Sequence, residues 1–338
     1  MSVLHQQLPA YGYSSAPYAY GDPGAQADFK TRPEDFVVEE VLGFEPSGEG
    51  EHLFLLLQTD DHNTRYTVKC LARLLGVRQR QVSYSGLKDR RGVTSQWFSI
   101  HLPGINTEPD AQQLAKEGIE LLRFDRHHRK LRIGTHKANR FHIVLRNTEP
   151  GRLENRLQQI ATTGVPNYFG AQRFGHDAAN VEEALEWVEK GELPLDRAVR
   201  SRVLSSLRSW WFNGRLAKRV EESTWNQWLP GDPILLDGSQ SFFMEEVWTE
   251  TLQNRYQVGD IHPGAWLPGA ETQGLPDDMR HFLALAAMKP EPRPLRLLPS
   301  NLQIEPAGAT LSLAFELPKG AFATTVLREL LRLNDLSV

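Results

Sequence analysis

The run Tyr84-Ser85-Gly86-Leu87-Lys88-Asp89-Arg90-Arg91-Gly92-Val93-Thr94-Ser95-Gln96-Trp97-Phe98 sets one carboxylate in a basic turn between two strand-like segments. Lys88, Arg90 and Arg91 favour the ionised form of Asp89. An ionised aspartate can act as a nucleophile without a helper base. The same cations would draw in a phosphodiester backbone. A salt-bridged surface turn is the plain alternative, and the local sequence leaves both open. Asp89 to Thr94 also resembles an aspartyl phosphotransferase, but that chemistry wants a second aspartate where Arg91 stands. No glycine-rich loop ending in Gly-Lys-Ser/Thr is present, so nucleotide hydrolysis has no support.

Four further blocks carry groups of the right kind for a nucleotide. In Phe29-Lys30-Thr31-Arg32-Pro33-Glu34-Asp35-Phe36, Phe36 offers a plate for a base and Lys30 a cation for a carboxylate. In Gly134-Thr135-His136-Lys137-Ala138-Asn139-Arg140-Phe141, Asn139 has both a donor and an acceptor for a base edge, and Phe141 can stack. Asn167-Tyr168-Phe169-Gly170-Ala171-Gln172-Arg173-Phe174-Gly175 interleaves aromatics with Arg173, as stacking plus phosphate contact requires. In Leu317-Pro318-Lys319-Gly320-Ala321-Phe322, Gly320 allows a sharp turn into the last helix. Each block also has an ordinary structural reading: a polar turn before a strand, the start of a buried strand, or a packing junction.

The elements that must position these groups follow from periodicity. Phe36–Val41 and Glu51–Thr59 read as strands, and Asn63–Gly76 as a helix capped by Asn63 or Thr64 and ended by Gly76. Val93–Leu102 alternates, with Phe98, Ile100 and Leu102 on one face and Val93 and Trp97 on the other. Pro109–Gly118 and Arg152–Thr163 read as helices, and Ile119–Phe124 and Phe141–Arg146 as strands. From Val165 to about Leu298 the chain becomes helical and Trp-rich. Pro290-Glu291-Pro292-Arg293-Pro294 then reads as a stiff connector. Ala309–Leu317 and Ala321–Leu333, a strand and a helix, return to the grammar of the first half. An α+β domain interrupted by a mainly helical insertion accounts for this order.

The 338 residues carry a net charge of −4, an average that hides basic runs. Arg200, Arg202, Arg208, Arg215, Lys218 and Arg219 form one. Arg123, Arg126, Arg129, Lys130, Arg132, Lys137, Arg140 and Arg146, against Asp125 alone, form another. Such faces can meet a polyanion even on a mildly acidic protein. Cys70 is the one cysteine, so no internal disulfide can form. No Cys/His set has zinc-finger spacing. The N-terminus lacks the order of a signal peptide, and no apolar run is long enough for a bilayer. These features predict a cytoplasmic protein with no membrane association, and no protein partner is evident.

Taken together, the five blocks resemble the TruD family of tRNA pseudouridine synthases, in order and over nearly the whole chain. The resemblance implies a pseudouridine-synthase-like catalytic domain over 1–164 and 297–338, with a mixed, mostly antiparallel sheet flanked by helices. An inserted TRUD domain would span 165–296. It implies that Asp89 is the catalytic aspartate, that Phe36, Asn139 and Phe322 contact the uridine with Phe141 beside them, and that Lys30 and Lys88 supply cations to the aspartate. Arg90, Arg91 and Arg173 would touch RNA. The implied substrate is tRNA, at uridine 13 of the D arm, with the base flipped into a cleft between two domains. The reaction only cuts the uracil at N1 and rejoins it at C5, so it implies no cofactor and no metal.

Overall fold

The computed structural model describes residues 15–88, 91–105 and 108–336, the side chain of Asp177 excepted. Among these, 24–155, 299–320 and 331–336 form one compact unit, and 15–23, 156–298 and 321–330 form a second.

The first unit is built on a sheet. The strands of this unit are β1 (Gln26–Phe29), which lies outside that sheet, β2 (Phe36–Val41), β3 (His52–Asp60), β4 (Val82–Tyr84), β5 (Val93–His101), β6 (Ile119–His127) and β7 (Ala138–Leu145). Two later strands, Ser300–Ala307 and Thr310–Pro318, join them. The order across the main sheet is 300–307, 310–318, β7, β2, β5, β3, β6, with β4 also on β5. Strand β5 lies near the middle, and residues 94–100 are all buried. One face packs Phe98 and Ile100 with Leu53, Leu55 and Leu57 against Val68, Cys70 and Leu71 of the helix Thr64–Leu74. The other gathers Trp97, Phe54, Leu42 and Leu131. Each such side chain contributes about 1.5–3 kcal/mol by leaving water. The Asn63 side chain caps the helix by accepting from the Tyr66 N–H at 2.9 Å.

Pairing in this sheet is antiparallel except between β2 and β5, where Val37 faces Val93 and Glu39 faces Ser95. That parallel register sets the starts of β2 and β5 side by side. On the other flank β7 runs antiparallel, and Glu40 faces Asn139. The Lys30 block, the Asp89 turn and the Asn139 block thus feed three adjacent strands.

The entry to β2 is locked by charge. Asp35, 2 % exposed, accepts two hydrogen bonds from Arg146, at 2.8 and 2.6 Å, and one from the Arg32 N–H at 3.1 Å. The single turn Pro33–Asp35 is therefore held immediately before Phe36.

The second unit packs the helices Ala179–Lys190, Arg197–Glu221 and Asp277–Leu285 around Phe212, Leu207, Trp211, Phe282 and Tyr168. It also holds a four-stranded sheet. Here the segment read as a stiff connector is a strand: Glu291–Pro294 pairs antiparallel with Ile261–Leu267 at the sheet edge. Proline alternates with Glu291 and Arg293, so the residues that keep an N–H recur at the two-residue period of a strand, and an edge tolerates the prolines between them. A second departure concerns the last helix. It covers Ala323–Leu330, and it belongs to the helical unit rather than to the sheet. Thr325 donates to the Tyr168 carbonyl at 3.2 Å, and Arg328 to that of Ala16 at 2.6 Å. A short strand Arg332–Asp335 follows and pairs parallel with β1 in the sheet unit.

Replacing Arg146 with Met should remove two of the three hydrogen bonds that the buried Asp35 carboxylate accepts, and leave the Arg32 N–H. A lower urea midpoint is expected, and unchanged stability would show that the pair does not hold the turn.

Candidate active site

Lys88 is the best-defined group of the site. Its ammonium lies 3.1 Å from Glu40 Oε2 and donates to Asn139 Oδ1 at 2.5 Å. The Lys88 side chain is 7 % exposed and that of Glu40 is fully buried. Burial pushes the Glu40 carboxyl above the usual range, and the Lys88 charge pulls it back. The Trp97 N–H donates to Glu40 Oε1 at 3.3 Å. The charge of Lys88 is thus met by Glu40. The sequence reading offers Lys88 as a cation for Asp89 and gives Glu40 no role. One signal was available: Phe36, Val38 and Glu40 share the buried face of β2, and a carboxylate at that parity needs a partner.

Backbone contacts hold the turn on either side. The Lys88 N–H donates to Thr64 Oγ1 at 3.0 Å, and Thr64 donates to Gln96 Oε1 at 3.0 Å. The Gln96 amide in turn donates to the Gly86 carbonyl. Downstream, Gly92 has φ +132°, and a Cβ there would lie 2.5 Å from the Phe36 carbonyl oxygen and 2.9 Å from its ring. Only glycine fits that approach. Lys88 is therefore tied to Glu40, and Gly92 lies against Phe36. Asp89 and Arg90, the residues proposed for attack and RNA contact, lie outside the described residues.

Asn139 is oriented by its partner. An ammonium only donates, so the amide oxygen faces Lys88 and the NH₂ is left to donate elsewhere. That NH₂ makes no hydrogen bond among the described residues. Phe36 is 4 % exposed, with Phe29 edge-on at 5.4 Å and Phe141 tilted at 6.2 Å. The Lys30 ammonium sits 4.4 Å from the Phe36 ring centre. Lys30 itself has φ +55°. A base can stack on Phe36 only if Lys30 swings aside. Phe141 is buried and also stacks on Phe315 at 5.6 Å, which makes it part of the core beneath Phe36. Arg91 is exposed and lines a cavity of about 440 Å³ with Lys30, Arg32, Asp60 and Gly92.

His136, also passed over in the sequence, backs this turn. Its ring Nδ1 lies 2.7 Å from Ser85 Oγ, and its backbone N–H donates to the same oxygen at 2.7 Å. Burial, helped by Lys88 and Lys319, lowers its pKa from 6.5 to about 4. The Lys319 ammonium, just past the end of the strand Thr310–Pro318, donates to the Gly134 carbonyl at 2.6 Å.

The other two sequence candidates belong to the helical unit. Phe322 is half-buried beside Gly170, where a Cβ would meet its ring at 3.6 Å. Arg173 donates to Ser205 Oγ at 2.8 Å and lies 5.4 Å from the Phe169 ring centre. Burial disfavours its charged form. Arg293 approaches the same ring to 3.8 Å, and burial with the nearby Arg173 lowers its pKa to about 9.

Comparison with known proteins places this architecture. The fold matches a solved structure of a candidate tRNA pseudouridine synthase D (TruD) from Methanosarcina mazei, with a TM-score of 0.64, 22 % identity, and coverage of 93 % of this chain and 95 % of that one. It is thus a pseudouridine-synthase-like α+β fold with an inserted domain. Residues 14–194 match the family model for tRNA pseudouridine synthase D (TruD). The tRNA pseudouridine synthase D of Nitrosococcus oceani is 42 % identical, over 98 % of this chain and 95 % of its own length. That of Ectopseudomonas mendocina is 43 % identical over 94 % of each. The chain belongs to the tRNA pseudouridine synthase D family and is an enzyme, an isomerase.

Lys88→Met should destabilise the protein by about 3–5 kcal/mol, because it strands Glu40. Adding Glu40→Leu should recover most of that loss in the same unfolding assay. Additive losses would show that the two do not act as a pair. For His136, the folded pKa lies below the unfolded one, so between about 4 and 6.5 the unfolded chain alone binds the proton. Its contribution to stability is complete above pH 6.5 and is lost as pH falls toward 4. His136→Gln should flatten that part of the stability–pH curve, and an unchanged slope would remove the assignment.

Proposed function

We propose that this chain isomerises the uridine at position 13 of tRNA, in the D arm, with Asp89 as the nucleophile. The supporting observation is the buried cluster of Lys88, Glu40 and Asn139. It anchors the residue next to Asp89 in the chain and leaves an amide NH₂ with no partner among the described residues. Uracil carries carbonyl acceptors, and the Asn139 NH₂ is a donor for one of them. The target nucleotide leaves its stack to enter the site, which costs a few kcal/mol. Stacking on Phe36, once Lys30 has moved, and packing by Phe322 return part of that cost. Phe141 supports Phe36 from below. Lys30, freed from the ring, can pair with a carboxylate or a phosphate. Arg90, Arg91 and Arg173 are assigned to the RNA backbone.

The Asp89 carboxylate attacks the ribose or the base, the N1 glycosidic bond breaks, and the detached uracil turns. A bond forms from C5 to the ribose, the bond to Asp89 breaks and frees the carboxylate, and the proton that C5 loses is matched by one that N1 takes up. Atoms and electrons balance within the nucleotide, so the scheme calls for neither cofactor nor metal. The same reading assigns 1–164 and 297–338 to the catalytic domain and 165–296 to the TRUD domain, although 15–23, 156–164 and 321–330 pack with the helical unit, and it places the enzyme with tRNA in the cytoplasm.

Pseudouridine mapping of tRNA treated with the wild-type protein should place product at position 13. Asp89→Asn should lower the single-turnover rate by a factor on the order of 10³ or more. Equal rates would overturn the nucleophile assignment, and product at another position would overturn the choice of site.

A further inference from the structure

The second basic run of the sequence, Arg123 to Arg146, divides in the structure, with Lys137 exposed apart from both groups. Arg123 pairs with Glu45, Arg140 with Glu39 and Glu316, and Arg146 with Asp35. Arg126 donates to the Ile105 carbonyl at 2.6 Å. Arg129, Lys130 and Arg132, in the loop after β6, are exposed and make no ion pair among the described residues. Two more exposed cations, Arg78 and Arg80, belong to the short turn around Gln79–Gln81 and are likewise unpaired among the described residues.

These cations line two neighbouring cavities. One, of about 730 Å³, is bounded by Arg78, Arg80, Lys130, His52 and His101. The other, of about 500 Å³, is bounded by Arg129, Lys130, Arg132, Phe44 and His127. Lys130 lines both, so the strip is continuous. Its walls are built. Gln81 donates to the His101 carbonyl at 3.3 Å and pins the turn to the end of β5. The His52 and His101 rings stack at 4.9 Å, and His52 Nδ1 is buried with no partner among the described groups. Burial lowers the pKa of His52 and of His127, which keeps both rings neutral near pH 7. Phe44 is 37 % exposed and lies 5.3 Å from the His127 ring. The carboxylates at the rim, Glu51 and Glu49, face His101 and His128.

Unpaired cations in a row, with exposed rings among them, suit a polyanion that also carries flat bases. The strip lies at the His52 end of β3, whereas the cavity with Lys30 and Arg91 lies at the Asp60 end. Nine residues of strand separate the two by ~26 Å, which is beyond the reach of one nucleotide. We propose that Arg78, Arg80, Arg129, Lys130 and Arg132 form a remote RNA-docking surface. It would hold the phosphodiester backbone of the substrate tRNA several nucleotides away from the reacting one. This inference rests on the reading of the chain as a tRNA enzyme.

The test compares wild-type protein with Arg78→Gln/Arg80→Gln/Lys130→Gln and with Arg129→Gln/Arg132→Gln. A control, Arg152→Gln/Lys190→Gln, removes exposed charges outside both basic runs. The Kd for unmodified full-length tRNA is measured from 50 to 200 mM salt, with kcat, KM and thermal unfolding alongside. Both strip variants should unfold at the wild-type temperature, bind tRNA at least tenfold more weakly, and keep kcat at saturating tRNA. The slope of log K against log salt should shrink by about 0.7–0.9 for each phosphate that is no longer neutralised, while the control matches wild type. Wild-type Kd and slope in both strip variants would overturn the surface. Wild-type protein that binds tRNA yet forms no pseudouridine would overturn the catalytic reading while the surface is still judged by its own variants. Wild-type protein that does not bind tRNA would overturn both.

Discussion

A lysine ammonium and a glutamate carboxylate, both almost wholly removed from water, hold the centre of this site. Their desolvation is costly, and the geometry must repay it through a short ion pair, an amide oxygen and a backbone N–H. Such a pair is a weak source of net stability, but it tolerates very few arrangements. Glu40 must face Asn139 across β2 and β7, and Lys88 must leave its turn toward both. A slip of one residue in β2 would turn Glu40 to the opposite face and strand Lys88. The pair therefore sets the register of the strands that carry the site, and it does so more strictly than apolar contacts would.

This constraint explains the division of labour in the turn. Lys88, one of the two cations that flank Asp89 in the sequence, is committed to Glu40, so it cannot also be the mobile counter-ion of a reacting carboxylate. Lys30 differs: its ammonium rests on aromatic faces and makes no ion pair among the described residues. A charge on a ring is held more loosely than a charge in a buried pair. Glycine at position 92 completes the arrangement, because the backbone runs directly against Phe36 and leaves no room for a side chain.

Much of this was legible before any coordinates. The alternation in Val93–Leu102 and the Asn63 cap both reflect local rules, and the structure follows them. The residues that escaped notice act across strands. Glu40 lies in an unremarkable Val-Val-Glu-Glu-Val run, and only its parity marks it as buried. His136 looks like any turn histidine until Ser85 is brought to it from 51 residues away. The proline-rich strand misled for a different reason. Proline usually ends a sheet, but alternate prolines at an edge cost it nothing it needs. The last helix kept its expected secondary structure and packed with the other unit, a choice that no local pattern encodes.

The pairing of Thr310–Pro318 with β7 has a consequence for how the chain comes into being. Its residues meet across more than 160 positions of sequence, with Leu311 opposite Leu145 and Pro318 opposite Ala138. A chain made from its N-terminus exposes the free edge of β7 until nearly all of the protein has been synthesised. That edge is a template for wrong partners in the interval. Residues 156–298 are complete before the strand that closes the sheet has appeared. Late arrival of that strand also delays Lys319, whose ammonium secures the Gly134 carbonyl beside His136. The site is therefore among the last parts of the enzyme to become whole, and a truncated chain would carry the reacting turn without its closing strand.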